Sequence, residues 1–362
     1  MILTACSPNS TPNGPTPSDS DSNDSVSNPI NIVTTIFAPY NFVQEIAGDN
    51  VNVSMLLSPG SETHSFEPSP QDIIAIQNCD VFIHVGGESD SWVDTILNSM
   101  DTSNMEIITL IDCVDAVPEE IVDGMEHDDD HEHDDDHQHD SELDDNHELD
   151  DNHEHVDDNE LNNSNELDNS NEHNDGDEHE GDSHTALLLD EHVWTAPKNA
   201  QLIVSHISKI LCNIDAANAE TYKLNTNAYL AKLNELDELF QDVVTSAARK
   251  TIIFGDRFPF RYLADAYDLE YFAAFPGCST DTEASAATVS FLIDKIRDEN
   301  IPVIFHVELS NMKMANTIGE ETGANVLLMH ACHNITKDEF EAGTSYLELM
   351  TQNAQNLKEA LN

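Results

Sequence analysis

One segment constrains how this chain can fold. Residues 123–184 hold 28 Asp and Glu, 11 of the 18 histidines and no Lys or Arg. Like charges at that density repel one another. Its hexapeptide repeats, ELDDNH at 142–147 and 148–153 and ELNNSN and ELDNSN at 160–165 and 166–171, present no apolar face. The segment is therefore expected to stay open and mobile, and the folded parts must form around it. The other 300 residues carry −30 of the formal −58 and an ordinary supply of Ile, Leu, Val and Phe, enough for two domains with cores.

The charge also narrows the partners. With 71 Asp and Glu against 13 Lys and Arg, no basic face exists to neutralise phosphate, so nucleic acid is excluded as a partner. The same balance argues against a polybasic lipid contact. No run of 18 apolar residues occurs, so no helix is expected to span a membrane. Leu3-Thr4-Ala5-Cys6 fits a bacterial lipobox, with only five residues before Cys6. Residues 7–29 are almost all Ser, Pro, Asn, Asp, Thr and Gly, the composition of a flexible tether. Together they predict acylation at Cys6, membrane contact only through that lipid anchor, and a folded part held at the membrane surface.

Between residue 30 and residue 111, short β-branched runs alternate with amphipathic stretches, and the alternation resumes after residue 249. Strands and helices in that order imply parallel sheets with helices on both faces. Residues 216–248 contain no Pro or Gly and keep a helical period over a predicted length of about 50 Å. The expected fold is α/β: two similar lobes, each a parallel sheet flanked by helices, joined by one long rigid helix. The expected divisions are a tether at 1–29, a first lobe at 30–215 that includes the insert, a linking helix at 216–248 and a second lobe at 249–362. A monomer is expected.

Six cysteines occur without a C-x-x-C, so neither a zinc ribbon nor a thioredoxin-type site is indicated. Cys278 and Cys332 lie in second-lobe loops where a disulfide would brace the presentation of His330. Cys79 and Cys113 form a second candidate pair. Buried free thiols are the alternative for each.

Seven histidines lie outside the insert. His84, His206 and His306 fall within strands or mid-helix and read as structural. His64, His192 and His330 fall in loops or at strand ends where the two lobes should face one another. Three neutral imidazoles from distant segments suit Zn²⁺, which takes nitrogen donors in tetrahedral geometry. Three His with an open position is also how a catalytic zinc is built, but no HExxH, nucleophile elbow or P-loop is present, and the chain is not expected to be an enzyme.

Gly60-Ser61-Glu62-Thr63-His64-Ser65-Phe66-Glu67-Pro68 resembles the G-x-x-x-H-x-(F/Y)-(E/D)-P motif of the zinc and manganese solute-binding proteins of ABC importers, the ZnuA-like branch of the cluster A-I family. Leu189-Asp190-Glu191-His192-Val193-Trp194 is similar to that family's D-P-H-x-W motif, with Glu191 in place of Pro. A His- and Asp-rich insert between the two motifs is typical of the zinc branch. The resemblance runs from about residue 30 to the end. It implies that His64 and His192 bind the metal and that His330 occupies the last ligand position. The third position, heading an H-x-A-F-x-Y segment, is read here on Gly255, which has no side chain to coordinate. Asp256, the nearest carboxylate, or water is then expected to complete the shell, and His333 and Glu283 are weaker candidates. The implied function is an extracytoplasmic zinc-capturing component, periplasmic if the anchor is absent, that docks on an ABC permease driven by a separate ATPase. Zn²⁺ is favoured over Mn²⁺ by the three His. A manganese importer component and a surface metal-buffering protein or adhesin are the alternatives. The insert's His127, His131, His133, His137, His139, His147, His153 and His155 are expected to scavenge or sense zinc.

Overall fold

The computed structural model describes residues 29–61, 66–125, 188–279 and 283–362. Cys6, His64 and the eight insert histidines named above lie outside these residues. The first sheet contains β1 (Ile30–Thr34), β2 (Val51–Met55), β3 (Val81–His84) and β4 (Glu106–Thr109) in the order β2-β1-β3-β4, all parallel. The second contains β5 (Thr251–Phe258), β6 (Glu270–Pro276), β7 (Val303–His306) and β8 (Asn325–Leu328) in the equivalent order β6-β5-β7-β8. Strand β3, Val-Phe-Ile-His, is buried along its whole length, as a strand covered by helices on both faces must be.

Helices α1 (Phe37–Ala47), α2 (Pro70–Gln77) and α3 (Ser91–Leu97) serve the first sheet, and α6 (Arg261–Tyr267), α7 (Ala286–Glu299) and α8 (Lys313–Thr322) the second. In each sheet the chain adds one neighbour on one side of its first strand and then crosses to the other side. The strand order thus reverses between β1 and β3, and again between β5 and β7. Ligand crevices of open parallel sheets form at this switch point, beyond the carboxyl ends of the strands.

Between the sheets lie α4 (Pro197–Ile214) and α5 (Ala219–Thr245), followed at the chain's end by α9 (Lys337–Ala342) and α10 (Tyr346–Ala360). The long helix α5 has 27 residues, about 40 Å, somewhat less than the expected 216–248. It is more than a connector. It packs on α1, α4 and α10, and its buried Tyr222, Tyr229, Leu233 and Phe240 belong to one apolar core. That core runs from Phe42 and Trp194 to Phe254 and Tyr346, so it joins the two sheets directly.

Several boundaries have local causes. The first strand stops at Thr34, because Phe37 opens α1 and Pro39 sits in its first turn, where a missing N–H is tolerated. Helix α2 starts with Pro70 and a reciprocal cap: the Ser69 hydroxyl accepts the Asp72 N–H, and the Asp72 carboxylate accepts the Ser69 N–H. Helix α9 was not among the expected elements, although Thr336 and Glu339 form the same kind of box and Gly343 closes the helix in the left-handed region.

Both expected disulfides are corrected. Cys79, Cys113, Cys212, Cys278 and Cys332 are all free thiols. Cys278 follows β6 and Cys332 follows β8, the two opposite edges of the second sheet. Three strand spacings separate those edges by about 14 Å, beyond the roughly 7 Å Cα separation that a disulfide spans. Cys79 precedes β3 and Cys113 follows β4, at opposite ends of two parallel neighbours. Among the described residues, no helix is long and apolar enough to cross a membrane.

Candidate metal centre

His192 is fully buried in the loop that enters α4. The Asp190 carboxylate holds it twice, accepting the His192 backbone N–H at 2.8 Å and lying 3.0 Å from Nδ1. Nδ1 therefore carries the ring proton and donates it, which leaves the lone pair on Nε2. That Nε2 is buried and has no hydrogen-bond partner. A carboxylate behind an imidazole whose far nitrogen is unoccupied is how metal-binding histidines are oriented. Burial alone would lower the His192 pKa, but the nearby carboxylates of Asp190, Glu191 and Glu119 outweigh it and the net shift is upward. The loop is itself fixed from the second lobe, since the Tyr262 hydroxyl donates to the Asp190 carbonyl at 2.7 Å. Gly277, just after β6, closes over the ring: a Cβ there would lie 2.9 Å from His192 Cε1 and 2.9 Å from the Phe258 carbonyl oxygen.

The loop after β8 supplies the facing side. His330 is buried, and its N–H donates to Asn353 Oδ1 at 2.7 Å. Its Nδ1 accepts the Cys332 N–H at 3.0 Å, which places the ring proton on Nε2, and Nε2 is buried without a partner. In that tautomer His330 has no lone pair to offer at Nε2. His333 differs. Its ring stands edge-to-face against His192, with centroids 4.7 Å apart, and against Trp194 at 4.8 Å. Glu308 shapes this loop by accepting the Ala331 N–H at 2.7 Å and the His333 N–H at 3.1 Å. Cys332 adopts a positive φ of 60° in the same turn, a strained conformation for a residue with a side chain.

The same loop ties the lobes together. Trp194 Nε1 donates to the Ala331 carbonyl at 2.7 Å, and the Phe37 N–H donates to the His333 carbonyl at 2.8 Å. Asn334 Nδ2 donates to the Ser58 and Ser61 carbonyls at 2.8 and 2.9 Å, gripping the segment that leads to His64. At the first sheet's switch point, a cavity of about 20 Å³ is lined by Thr35, Ser89, Asp90, Glu191 and His333, among others. That is room for about one water or one ion. Glu191 is buried there, with Oε1 accepting the Ser89 N–H at 2.8 Å, and burial pushes its carboxyl pKa up.

The other expected positions fare differently. Gly255 is a packing residue, because a Cβ there would lie 2.6 Å from the Ala315 Cα of α8. Laying Phe260 and Tyr262 on the aromatic positions of H-x-A-F-x-Y puts its head on Arg257, two residues beyond the expected place. Asp256 accepts the Arg257 N–H at 2.9 Å and the Val307 N–H at 3.3 Å, so both oxygens hold backbone. Glu283 is exposed and pairs with Lys313. His84 stacks on Phe82 and shares a hydrogen bond with Thr109, His306 meets the Val307 carbonyl, and His206 is solvent-exposed on α4. Among the described residues, no three His, Cys, Asp or Glu side chains are grouped so as to hold a metal ion. His192 and His333 are brought together, and His64 lies outside those residues.

Sequence reasoning missed Glu308 and Asn334 altogether, because both act on backbone groups that come from distant parts of the chain. His333 carried a usable signal, since it stands in the same loop as His330.

Comparison with known proteins extends this geometry. The sequence profile of the family described as ZnuA, zinc-uptake complex component A, periplasmic, matches residues 32–360. The chain is similar to the high-affinity zinc uptake system protein ZnuA of Bacillus subtilis, 28% identical over 361 residues, covering 100% of this chain and 94% of that protein. It is also similar to the zinc-binding lipoprotein AdcA of Streptococcus pneumoniae, 27% identical over 330 residues and covering 91% of this chain. It spans 55%, about half, of that relative's length. Among solved structures, the metal-dependent lipoprotein YcdH from Bacillus subtilis superposes with a TM-score of 0.66 at 26% identity, covering 92% of this chain and all of that one. The Zn(II)-bound ZnuA-like domain of Streptococcus pneumoniae AdcA shares the fold, with a TM-score of 0.65 at 24% identity, covering 92% of this chain and 99% of that chain. With a match spanning nearly its whole length and the two-sheet architecture in common, the chain belongs to the ZnuA family of zinc-uptake complex components.

Proposed function

We propose that this protein captures Zn²⁺ between its two sheets and delivers it to an ABC permease, as the extracytoplasmic solute-binding component of a zinc importer. The observation that carries the reading is His192, with Nδ1 held by Asp190, Nε2 buried and unsatisfied, and the His333 ring beside it. In this reading His64, His192 and His333 are the principal donors. His330 joins them when its proton moves to Nδ1, where Glu308 Oε2 stands 3.8 Å away. Asp256 is the weaker candidate, because each of its oxygens already accepts a backbone N–H. Imidazole donors favour Zn²⁺ over Mn²⁺, which prefers oxygen. The zinc names of the curated relatives agree with that preference. Cys6 is the anchor, residues 30–215 and 249–362 are the two lobes, and the histidines of 123–184 collect zinc near the cleft. The protein works as a monomeric binding component and is not an enzyme.

The test is a zinc titration by calorimetry on a variant lacking 123–184. One tight site per chain is expected, and it should be lost when His64 and His192 are both replaced with Ala. Tight binding that vanishes with the insert, or survives the double replacement, would refute the reading.

A further inference from the structure

Glu191 is buried where no base neutralises it. It is 3% exposed, and a carboxylate at that depth is normally paired with a base or set on a metal. Among the described residues no Lys or Arg pairs with it. The charges acting on it are its neighbour His192 and a second carboxylate, Asp90. Oε1 accepts the Ser89 N–H at 2.8 Å, which leaves Oε2 as the spare oxygen beside the cavity of about 20 Å³ at the first switch point. Thr35 lines the same cavity, and its buried Oγ1 has no hydrogen-bond partner among the described residues. The His333 ring forms another part of the wall and stands edge-to-face on His192, so the cavity adjoins the imidazoles assigned to zinc. Its volume admits one ion or one water. The backbone makes room for the carboxylate at Gly87, where φ is +87° and a Cβ would lie 2.6 Å from both Cγ and Oε1 of Glu191.

Glu191 also stands where the D-P-H-x-W motif has Pro, whose side chain has nothing to give a metal. The second lobe shows the reverse exchange. The head of its H-x-A-F-x-Y segment falls on Arg257, whose guanidinium has no lone pair to offer. The chain has thus lost one donor and gained a carboxylate next to another. We propose that Glu191 is itself a zinc donor, its Oε2 completing a shell with His64, His192 and His333 in place of the donor absent from the second lobe. Among the described residues alone no three such side chains converge, so the ion and His64 draw the set together. The carboxylate also halves the charge that Zn²⁺ carries into a buried place, where an uncompensated charge is costly. This inference rests on the zinc-capture reading and names the fourth donor of that same site.

The experiment compares the full chain with Glu191→Gln and Thr35→Val, the insert being intact in all three. Zinc affinity is measured by competition with a chelator strong enough to keep weak sites empty. Metal-free melting temperature is read by calorimetry, and the donor set by the visible absorption of one equivalent of Co²⁺. Glu191→Gln can keep the Ser89 contact through its amide oxygen but removes the buried charge, so the metal-free Tm should stay level or rise. Its zinc Kd should rise about tenfold or more, and its Co²⁺ bands should shift because an oxygen donor is lost. Thr35→Val removes no donor and should leave the Co²⁺ bands in place. A Glu191→Gln Kd within about threefold of the parent's overturns the proposal. So does a weaker Kd with unchanged Co²⁺ bands, which makes Glu191 a positioning residue or the holder of a water. A metal-free Tm that falls in step with affinity makes its role structural and overturns it as well. Tight zinc in the parent with Glu191→Gln unchanged removes only this inference, whereas a parent without tight zinc removes the zinc-capture reading too.

Discussion

The two sheets share one strand order and fill their switch points in opposite ways. At the first, between β1 and β3, the space is about 20 Å³ and the walls carry Asp90, Glu191 and the His333 ring. At the second, between β5 and β7, it is about 220 Å³ and the walls carry Asp256, Arg257, Glu308 and Met312. The backbone topology supplies a crevice in both places, and the side chains set its size and its lining. Fold alone therefore does not assign the site.

The largest effect is expected at the residue that joins the two halves. Trp194 is fully buried, donates to the Ala331 carbonyl and accepts from the Tyr346 hydroxyl through its own carbonyl. Trp194→Ala should cost about 4 kcal/mol in denaturant unfolding. A loss near 1 kcal/mol would mean that the halves are held together elsewhere. Two glycines then separate the crevices. Gly277→Ala and Gly255→Ala should each cost about 1–3 kcal/mol by overpacking. Only Gly277→Ala should weaken zinc, because its Cβ would meet His192 while that of Gly255 would meet Ala315. Equal zinc loss in both would erase the distinction. Asn334→Ala removes two hydrogen bonds to the segment before His64, and should cost about 1–2 kcal/mol and raise the zinc Kd modestly.

The pH dependence should be the gentlest change. The His192 pKa lies above its ordinary value of about 6.5, so the metal-free chain carries a stabilising proton there. That contribution is complete below about 6.5 and is lost as pH rises through the raised folded value. On the proposed reading zinc takes the same Nε2, so its affinity should fall about tenfold per pH unit once pH drops below that value. An affinity flat between pH 7.5 and 5.5 would show that His192 is not a donor.

Much of this was legible in the sequence, and the parts that were not share a cause. Alternating β-branched runs and amphipathic stretches located all eight strands, because burial on both faces writes itself into strands such as Val81–His84. His192 stood out in the sequence through its motif, and the carboxylate that orients it, Asp190, stands only two residues away. The cysteine pairs failed because sequence order does not reveal which strand lies at which edge. Gly255 was misread because a strand–helix contact, not a lost ligand, selects the missing side chain there. Glu308 and Asn334 were invisible, since their partners are backbone groups of the loops at 331–333 and 58–61. That the Cys332 N–H takes up Nδ1 of His330 while the His333 ring lies against His192 is a detail of turn geometry that the sequence does not show.

The central claim is that the cleft beside His192, rather than the acidic insert, holds the tight metal. The most direct measurement is a zinc titration of the chain lacking 123–184, compared with the same chain carrying His192→Ala and, separately, His333→Ala. One tight site per chain, weakened at least a hundredfold by His192→Ala and strongly by His333→Ala, is the predicted result. A tight site that both replacements leave unchanged, or no tight site once the insert is gone, would contradict it.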